Sequence, residues 1–422
     1  MQLSHYIFHK RAIFYILPLC LLVRVILVLT IDPFGADTSD GSDYHSSAVS
    51  LINGTGYPAH GSLPFVRPPL YPLLLSVVYS FFNHETFLTA KLVNAVLDTA
   101  ACFVFYYLIL LVWNNRRTAI LATVVYVFNP LYLFFSMRVR VEALFILLVV
   151  TGIYFLIREY KKDFPALLSV VLIGSVFGLA CLCRSNIASF AALIPLWFIY
   201  CNLKKWRKGV LLSLGFILGC VLIIAPWSIR NYYSYGEIIV ITDGFGFNFW
   251  ISNTDLKLDD LNAGNNREYL EADARLWKET AKVENEVQGK SYKERDNHYF
   301  NLGMHYIQNN FAAWLWLNVR KFAEFWSPAA RFDMQGWKAA LTLPFGLLTL
   351  FGLFIYLNSF FTQRFDRNIL LLYGILFFVA TVTGVLTWSS VRYRVPLIDA
   401  YLIPFGISWI ESRIFRKSEE VI

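Results

Sequence analysis

Charge is scarce in this chain. Only 16% of its 422 residues are Asp, Glu, Lys or Arg, while 57% are hydrophobic, and the mean hydropathy is +0.51. Such a balance excludes an ordinary water-soluble domain and identifies a membrane protein. Cysteine is sparse too: the six residues at 20, 102, 181, 183, 201 and 220 all fall in apolar stretches, so no disulfide framework or Cys-based metal site is implied. The seven histidines form no metal-ligand pattern, and no divalent metal or other cofactor is expected. Internal repeats and low-complexity tracts are absent as well.

What the chain has in quantity is apolar length. A helix crossing about 30 Å of hydrocarbon needs roughly 20 apolar residues. Ten stretches qualify, at about 12–31, 88–113, 118–137, 141–157, 165–183, 187–203, 210–227, 338–357, 369–390 and 396–411. The first is too long for a signal peptide and lacks a small-residue cleavage site. An aromatic share of 17%, with 24 Tyr and 12 Trp, suits many segment ends at headgroup level. The expected fold is therefore an all-α polytopic membrane protein of about ten transmembrane helices.

Positive residues in short loops set the orientation. With the N-terminus inside, cytoplasmic segments carry sixteen Lys and Arg, and the three short outer loops carry five: Arg138, Arg140, Arg184, Arg392 and Arg394. The net charge of +8 is mostly this bias and not a nucleic-acid signal. Both chain ends are expected on the cytoplasmic side of a plasma membrane. Two long segments then lie outside, 32–87 and 228–337. The expected organisation is a seven-span module over 1–227 that includes the first external loop, an external segment over 228–337, and a three-span module over 338–422.

The first external loop holds "GSDYHSSAVSLINGTGYP", in which Ser42 reads as an N-cap and Tyr44, Ala48 and Leu51 recur at helical spacing. Gly54 and Gly56 end this short interfacial helix, and Asp43 is expected in its first turn, where the helix dipole favours the carboxylate. "RPPLYPLLLSVVYSFF" follows with Arg67 and an apolar run too short to span. Late in the second external segment, a helix over 311–326 would gather Phe311, Trp314, Leu315, Phe322 and Phe325 on one side, along the membrane surface.

The five outer arginines run against the orientation bias, each at the end of a span, so each needs an anionic partner. Lipid headgroups are one such partner. A phosphate held jointly with Arg67 is the other, and it suits guanidinium geometry. Arg24 and Asp98, both inside spans, read as a mutual ion pair or a bundle-interior site.

"SDYHSSAVSLINGTGYP" followed by "FVRPPLYPLLLSVVYSFFN" resembles the first external loop of the polytopic glycosyltransferases of the C superfamily, which includes protein O-mannosyltransferases and the aminoarabinose transferase acting on lipid A. "RVEALFILL", "CRSNIASFAALIPL", "APWSIRNYYSYGEIIVITDGFGFNFWISN" and "RYRVPLIDAYLIPF" follow in the family's order. Two departures stand out. Arg184 is followed by Ser-Asn where a proline often occurs, and no large external C-terminal domain follows span ten, which leaves acceptor recognition to 228–337.

The resemblance implies sugar transfer from a polyprenyl-phosphate donor to an acceptor hydroxyl on the outer face, with inversion. Asp43 is the candidate general base, with Asp40 and Asp37 as alternatives, and helix capping is the plain role for Asp43. Arg67, Arg138, Arg140, Arg184 and Arg394 are candidates for holding the donor phosphate. Tyr44 and Glu142 are candidates for contacting acceptor or sugar, against packing for Tyr44 and pairing with Arg138 for Glu142. The expected partners are the lipid-linked sugar, an acceptor and membrane lipids. A transporter or flippase for the same lipid is the alternative; it would need the arginines but neither an external base nor a long external segment.

Overall fold

The computed structural model describes residues 2–35, 39–58, 66–263, 265–330, 336–362 and 364–419. Among these residues the secondary structure is helical throughout and contains no strand. The chain begins with α1 (Gln2–Ile31), α2 (Ser39–Ile52), α3 (Leu70–Phe82), α4 (Phe87–Trp113) and the pair α5 (Arg116–Phe128) and α6 (Pro130–Ser136). It continues with α7 (Glu142–Tyr160), α8 (Leu167–Cys183), α9 (Ala188–Cys201) and α10 (Trp206–Tyr235). The segment expected outside folds as α11 (Phe245–Ile251), α12 (Asp255–Asn262), α13 (Asn266–Glu286), α14 (Tyr292–Asn309) and α15 (Phe311–Phe325). The last part comprises α16 (Gly336–Thr362), α17 (Arg367–Leu386), α18 (Val391–Arg394), a π turn at Val395–Asp399, and α19 (Ala400–Glu419).

Each of the ten apolar stretches contains helix, with breaks at Asn129 in the third and after Leu386 in the ninth. Six helices are long and apolar enough to cross a bilayer, and the α5–α6 pair, bent by 57°, makes a seventh if counted as one span. The bend has a chemical cause. Pro130 has no N–H to give to the preceding turn, and the Asn129 side chain captures the N–H of Leu131 instead. Val127 O, four residues before Leu131, thereby loses its helical donor and is met by Arg24 Nη1 at 3.5 Å. Arg24 also donates through Nε to Asp98, and Tyr126 donates to the other oxygen of that carboxylate at 2.6 Å. An intramembrane cation, an anion and a kink thus stabilise one another across α1, α4 and α5, as the pairing of Arg24 with Asp98 anticipated.

Elsewhere the spans pack through small residues. At Gly219 of α10 an added Cβ would stand 2.0 Å from Val171 O of α8, so the two backbones lie closer than any side chain allows.

Two expectations shift. α2 starts at Ser39, so Asp40 is the acid of the first turn and Asp43 lies in the second. Asp at position 40 favours the dipole end as well as Asp43 does, and sequence patterning does not fix a helix start to within a turn. In α15, Phe311, Leu315 and Phe322 are exposed together with Trp316 and Val319, but Phe325 is buried beside Leu317 and Lys321. One side of the helix packs on the protein body and the other is exposed, so it has two apolar faces instead of one.

Helices α11, α13 and α14 share a core of their own around Phe247, Trp250, Leu276 and Tyr299. Lys321 reaches into the base of this unit, where it is fully buried and donates to Ser252 O at 3.0 Å and Asn253 Oδ1 at 3.1 Å. Burial, with Lys257 nearby, pushes its ammonium down to about 7.

Candidate active site

Five separate stretches of chain deliver charged side chains to one cluster. α2 contributes Asp40, Asp43 and Tyr44, which at i, i+3 and i+4 share a helical face. The run 66–68 before α3 contributes Arg67. Its backbone is tethered on both sides: Val66 N donates to Asp243 at 2.8 Å, Thr242 donates to Val66 O at 2.6 Å, and Tyr57 donates to Arg67 O at 3.1 Å. The turn before α7 contributes Arg140, and Asn94 of α4 pins that turn by donating to Arg138 O and Arg140 O at 2.6 and 3.0 Å. Glu142 opens α7, Arg184 ends α8, and Arg392 stands in α18.

Arg67 donates to Asp43 Oδ2 through Nε at 2.9 Å and Nη2 at 2.6 Å, and its Nη2 lies 3.0 Å from Asp40 Oδ1. Its guanidinium sits over the Tyr44 ring, 5.2 Å from the centroid, and the Tyr44 ring meets Tyr71 of α3 edge-on. Asp40 Oδ2 accepts from Arg392 Nη1 at 3.0 Å and faces Arg140 Nη1 at 3.9 Å. Glu142, fully buried, accepts from Arg392 Nε and from Arg184 Nη1 at 3.4 Å. The Arg184 guanidinium lies 4.2 Å from the Tyr393 ring centroid.

The result is four guanidiniums against three carboxylates among the described residues, 4 − 3 = +1, in a largely buried site. Burial alone would raise the Asp40 carboxyl, but Arg392, Arg67 and Arg140 outweigh it and hold that group well below the usual carboxylate range. Arg140 is the counterpart: burial and the neighbouring Arg392 push its guanidinium down. Its Nε and Nη1 are buried without a hydrogen-bond partner. An unmatched buried donor pair beside surplus positive charge is suited to an anion.

Not all the sequence candidates meet here. Arg394, 1% exposed, donates to Asp399 at 2.8 and 3.2 Å and to Phe325 O and Ser327 O at 2.9 and 2.8 Å, so its guanidinium is used in joining α15 to the π turn. Arg138 lies over the Phe134 ring at 5.2 Å. Asp37 falls outside the described residues. Arg392 was noted as an outer arginine but not among the phosphate-binding candidates, yet it bridges Asp40 and Glu142. Residues two apart on a helix point to nearly opposite sides, so of Arg392 and Arg394 only one could face the cluster, and "VRYRVP" does not tell which. Asn94 and Asp243, the tethers, carried no sequence signal of their own.

Residues 66–229 match the family described as dolichyl-phosphate-mannose-protein mannosyltransferase. Among solved structures, an archaeal oligosaccharyltransferase, AglB from Archaeoglobus fulgidus in complex with an inhibitory peptide and a dolichol-phosphate, aligns with a TM-score of 0.60 at 14% identity, over 98% of this chain and 52% of that one. The oligosaccharyltransferase of the same organism, tethered with an acceptor peptide containing an NVT sequon, gives 0.59 at 16% identity, over 96% and 50%. The chain thus spans about half the length of the structures it matches. In the comparison with curated sequences, no protein matches.

Proposed function

Because this chain is a polytopic membrane protein with the fold of the C-superfamily glycosyltransferases, we propose that it moves a sugar from a polyprenyl-phosphate donor to an acceptor hydroxyl at the extracytoplasmic face. The single observation that carries the reading is the cluster itself: a carboxylate, Asp43, whose cation partner Arg67 belongs to a set of buried and half-buried arginines with one charge in excess among the described residues. The family match over 66–229 and the dolichol-phosphate in the AglB structure support the same donor chemistry.

In this mechanism the acceptor oxygen attacks the anomeric carbon, its proton passes to Asp43, and the bond from that carbon to the phosphate oxygen breaks with its electron pair moving onto the phosphate. In-line displacement inverts the anomeric centre. Arg67, Arg140, Arg184 and Arg392 hold the phosphate. Cations already in place where charge develops lower the barrier more than they stabilise the bound donor. Asp43 is better placed than Asp40 to take the proton. Asp40 already faces three guanidiniums and is held strongly ionised, which makes it a weak base, whereas both of the Arg67 bonds to Asp43 fall on Oδ2.

A flippase would use the same arginines, but Asp43 beside them favours proton transfer. Purified protein incubated with a panel of radiolabelled polyprenyl-phosphate sugars and candidate acceptors gives the test. Release or transfer of label that depends on Asp43 is expected, and movement of intact donor across a vesicle without cleavage would overturn the enzyme reading.

A further inference from the structure

A second polar site lies at the other end of the C-terminal helices. α17 starts at Arg367 and ends at Leu386, six residues before Arg392; at about 1.5 Å per residue its length separates its two ends by about 30 Å. Near the Arg367 end, α16 and α19 part company. They touch backbone to backbone at Gly352, where an added Cβ would stand 2.1 Å from Leu402 O. Beyond that contact a cavity of about 570 Å³ opens between them. Its walls include the buried Ile355 and Phe405 and the exposed Asn358, Thr362, Arg364 and Arg413. Ser408 and Trp409 complete its α19 side, and Arg413 sits 5.1 Å from the Trp409 ring centroid.

Charge in this cavity is one-sided. Among the described residues no carboxylate lines it. The nearest acids in sequence face elsewhere: Glu411 accepts from Asn115 at 3.0 Å, and Asp366 caps α17 and accepts from Tyr160 at 3.0 Å. Arginine at the ends of spans is ordinary where it only marks the inner side. Here two arginines converge on a concave, half-apolar space of the size that holds a small-molecule group.

We infer that this cavity binds the phosphate headgroup of an anionic membrane lipid. Arg364 and Arg413 take the phosphate oxygens, for which the guanidinium fork is suited, Asn358 and Thr362 face the rest of the headgroup, and Ile355 and Phe405 receive the start of the acyl chains. Inorganic phosphate offers the same anionic group, but it leaves the apolar wall unused. The site is distant from the transfer chemistry and does not depend on it.

Native mass spectrometry of the full chain in detergent distinguishes these sources, with phosphatidylglycerol, phosphatidylcholine or inorganic phosphate added. Wild-type protein is expected to retain phosphatidylglycerol over phosphatidylcholine by about tenfold, the scale of two charge-assisted contacts in a partly open site. Arg364→Gln with Arg413→Gln should abolish that preference. Ser408→Phe, which fills the cavity and leaves both arginines in place, should lower retention of phosphatidylglycerol as well. Equal retention of the two lipids by the wild type, or unchanged preference in the double variant, would overturn the inference. Displacement of the lipid by millimolar inorganic phosphate would overturn the lipid as the occupant.

Discussion

Arg67 places two of its N–H groups on one oxygen of Asp43, at 2.9 and 2.6 Å. An arriving phosphate needs those same donors. On the proposed function, donor binding and release of the base are therefore one event: as Arg67 turns to the phosphate, the Asp43 oxygen it held becomes available to the acceptor proton. Before the donor arrives, the two charges neutralise each other, which lessens the desolvation penalty of keeping either one buried.

Replacing Asp43 by Asn separates chemistry from packing. Loss of a general base typically lowers the rate by 10² to 10⁴-fold, roughly 3 to 5 kcal/mol of barrier. Asp43→Asn should fold, bind the lipid donor and turn over at that reduced rate, and Asp40→Asn should stay within about tenfold of wild type on the same scale. Initial rates of sugar transfer measure both; a large loss in Asp40→Asn with near-normal Asp43→Asn would exchange the two roles.

Asp40 also sets an acid limb. Its folded-state pKa is depressed by the guanidiniums around it. Stability from this group is therefore fully present above the unfolded value, about pH 4, and is lost as pH falls from there toward the folded value. Thermal melts between pH 5 and 3 should show a steeper decline in wild type than in Asp40→Asn. Parallel declines would contradict the arginine-held carboxylate.

Arg140 and Arg394 should respond in opposite ways. Arg140 has two buried donors without hydrogen-bond partners, so Arg140→Ala should cost donor affinity about tenfold to a hundredfold, one charge-assisted bond of roughly 1.5 to 3 kcal/mol, with little change in melting temperature. Arg394 is saturated by Asp399 and two carbonyls, and breaking a buried pair of this kind destabilises by about 3 to 5 kcal/mol. Arg394→Ala should lose stability first. Donor titrations and melts on both variants decide, and a stable Arg394→Ala with weakened donor binding would return this residue to the phosphate site.

Lys321 has the reverse pH signature. Its folded pKa of about 7 lies below the ordinary 10.5, so between those values the unfolded chain binds the extra proton and stability rises with pH. The span corresponds to roughly 4 to 5 kcal/mol at most, at 1.36 kcal/mol per pKa unit. Lys321→Met should flatten the stability profile between pH 7 and 10. An unchanged slope would mean that the buried amine keeps its proton.

Topology is open to direct labelling. Cysteines placed at Lys204 and Lys278, both exposed, should react with an impermeant thiol reagent from opposite sides of the membrane in a background lacking the six native cysteines. Reaction of both from one side would remove Asp43 from the outer face.

Apolar length made the helices legible: each of the ten runs contains helix, since a bilayer leaves backbone polar groups no partner except within the helix, although only six or seven helices among the described residues are long and apolar enough to span. The Arg24–Asp98 pair was legible for a related reason, since two opposite charges in adjacent spans have few alternatives. Asp43 and Arg67 stand out in the sequence as charges in the first loop, and Arg140, Arg184 and Glu142 as charges at or near span ends, and they come together. Which arginine of "VRYR" joins them was not legible, because Arg392 meets Asp40 across 352 positions and only tertiary packing decides the rotation of α18. The two-faced nature of α15 was hidden as well, because Leu317 and Phe325 look the same in sequence whether they meet lipid or protein.

The joint beneath α15 has a mechanical consequence. Asn253 receives Trp314 and Lys321 on its oxygen, donates to Leu386 O at 3.3 Å, and the Ser389 hydroxyl grips Lys321 O at 2.6 Å. Three residues further on stands Arg392. The opposite side of α15 turns Phe311, Leu315, Val319 and Phe322 outward. A tilt of α15 would therefore be passed through these bonds toward the arginine that bridges Asp40 and Glu142, so the exposed face of this helix and the charged cluster are mechanically linked.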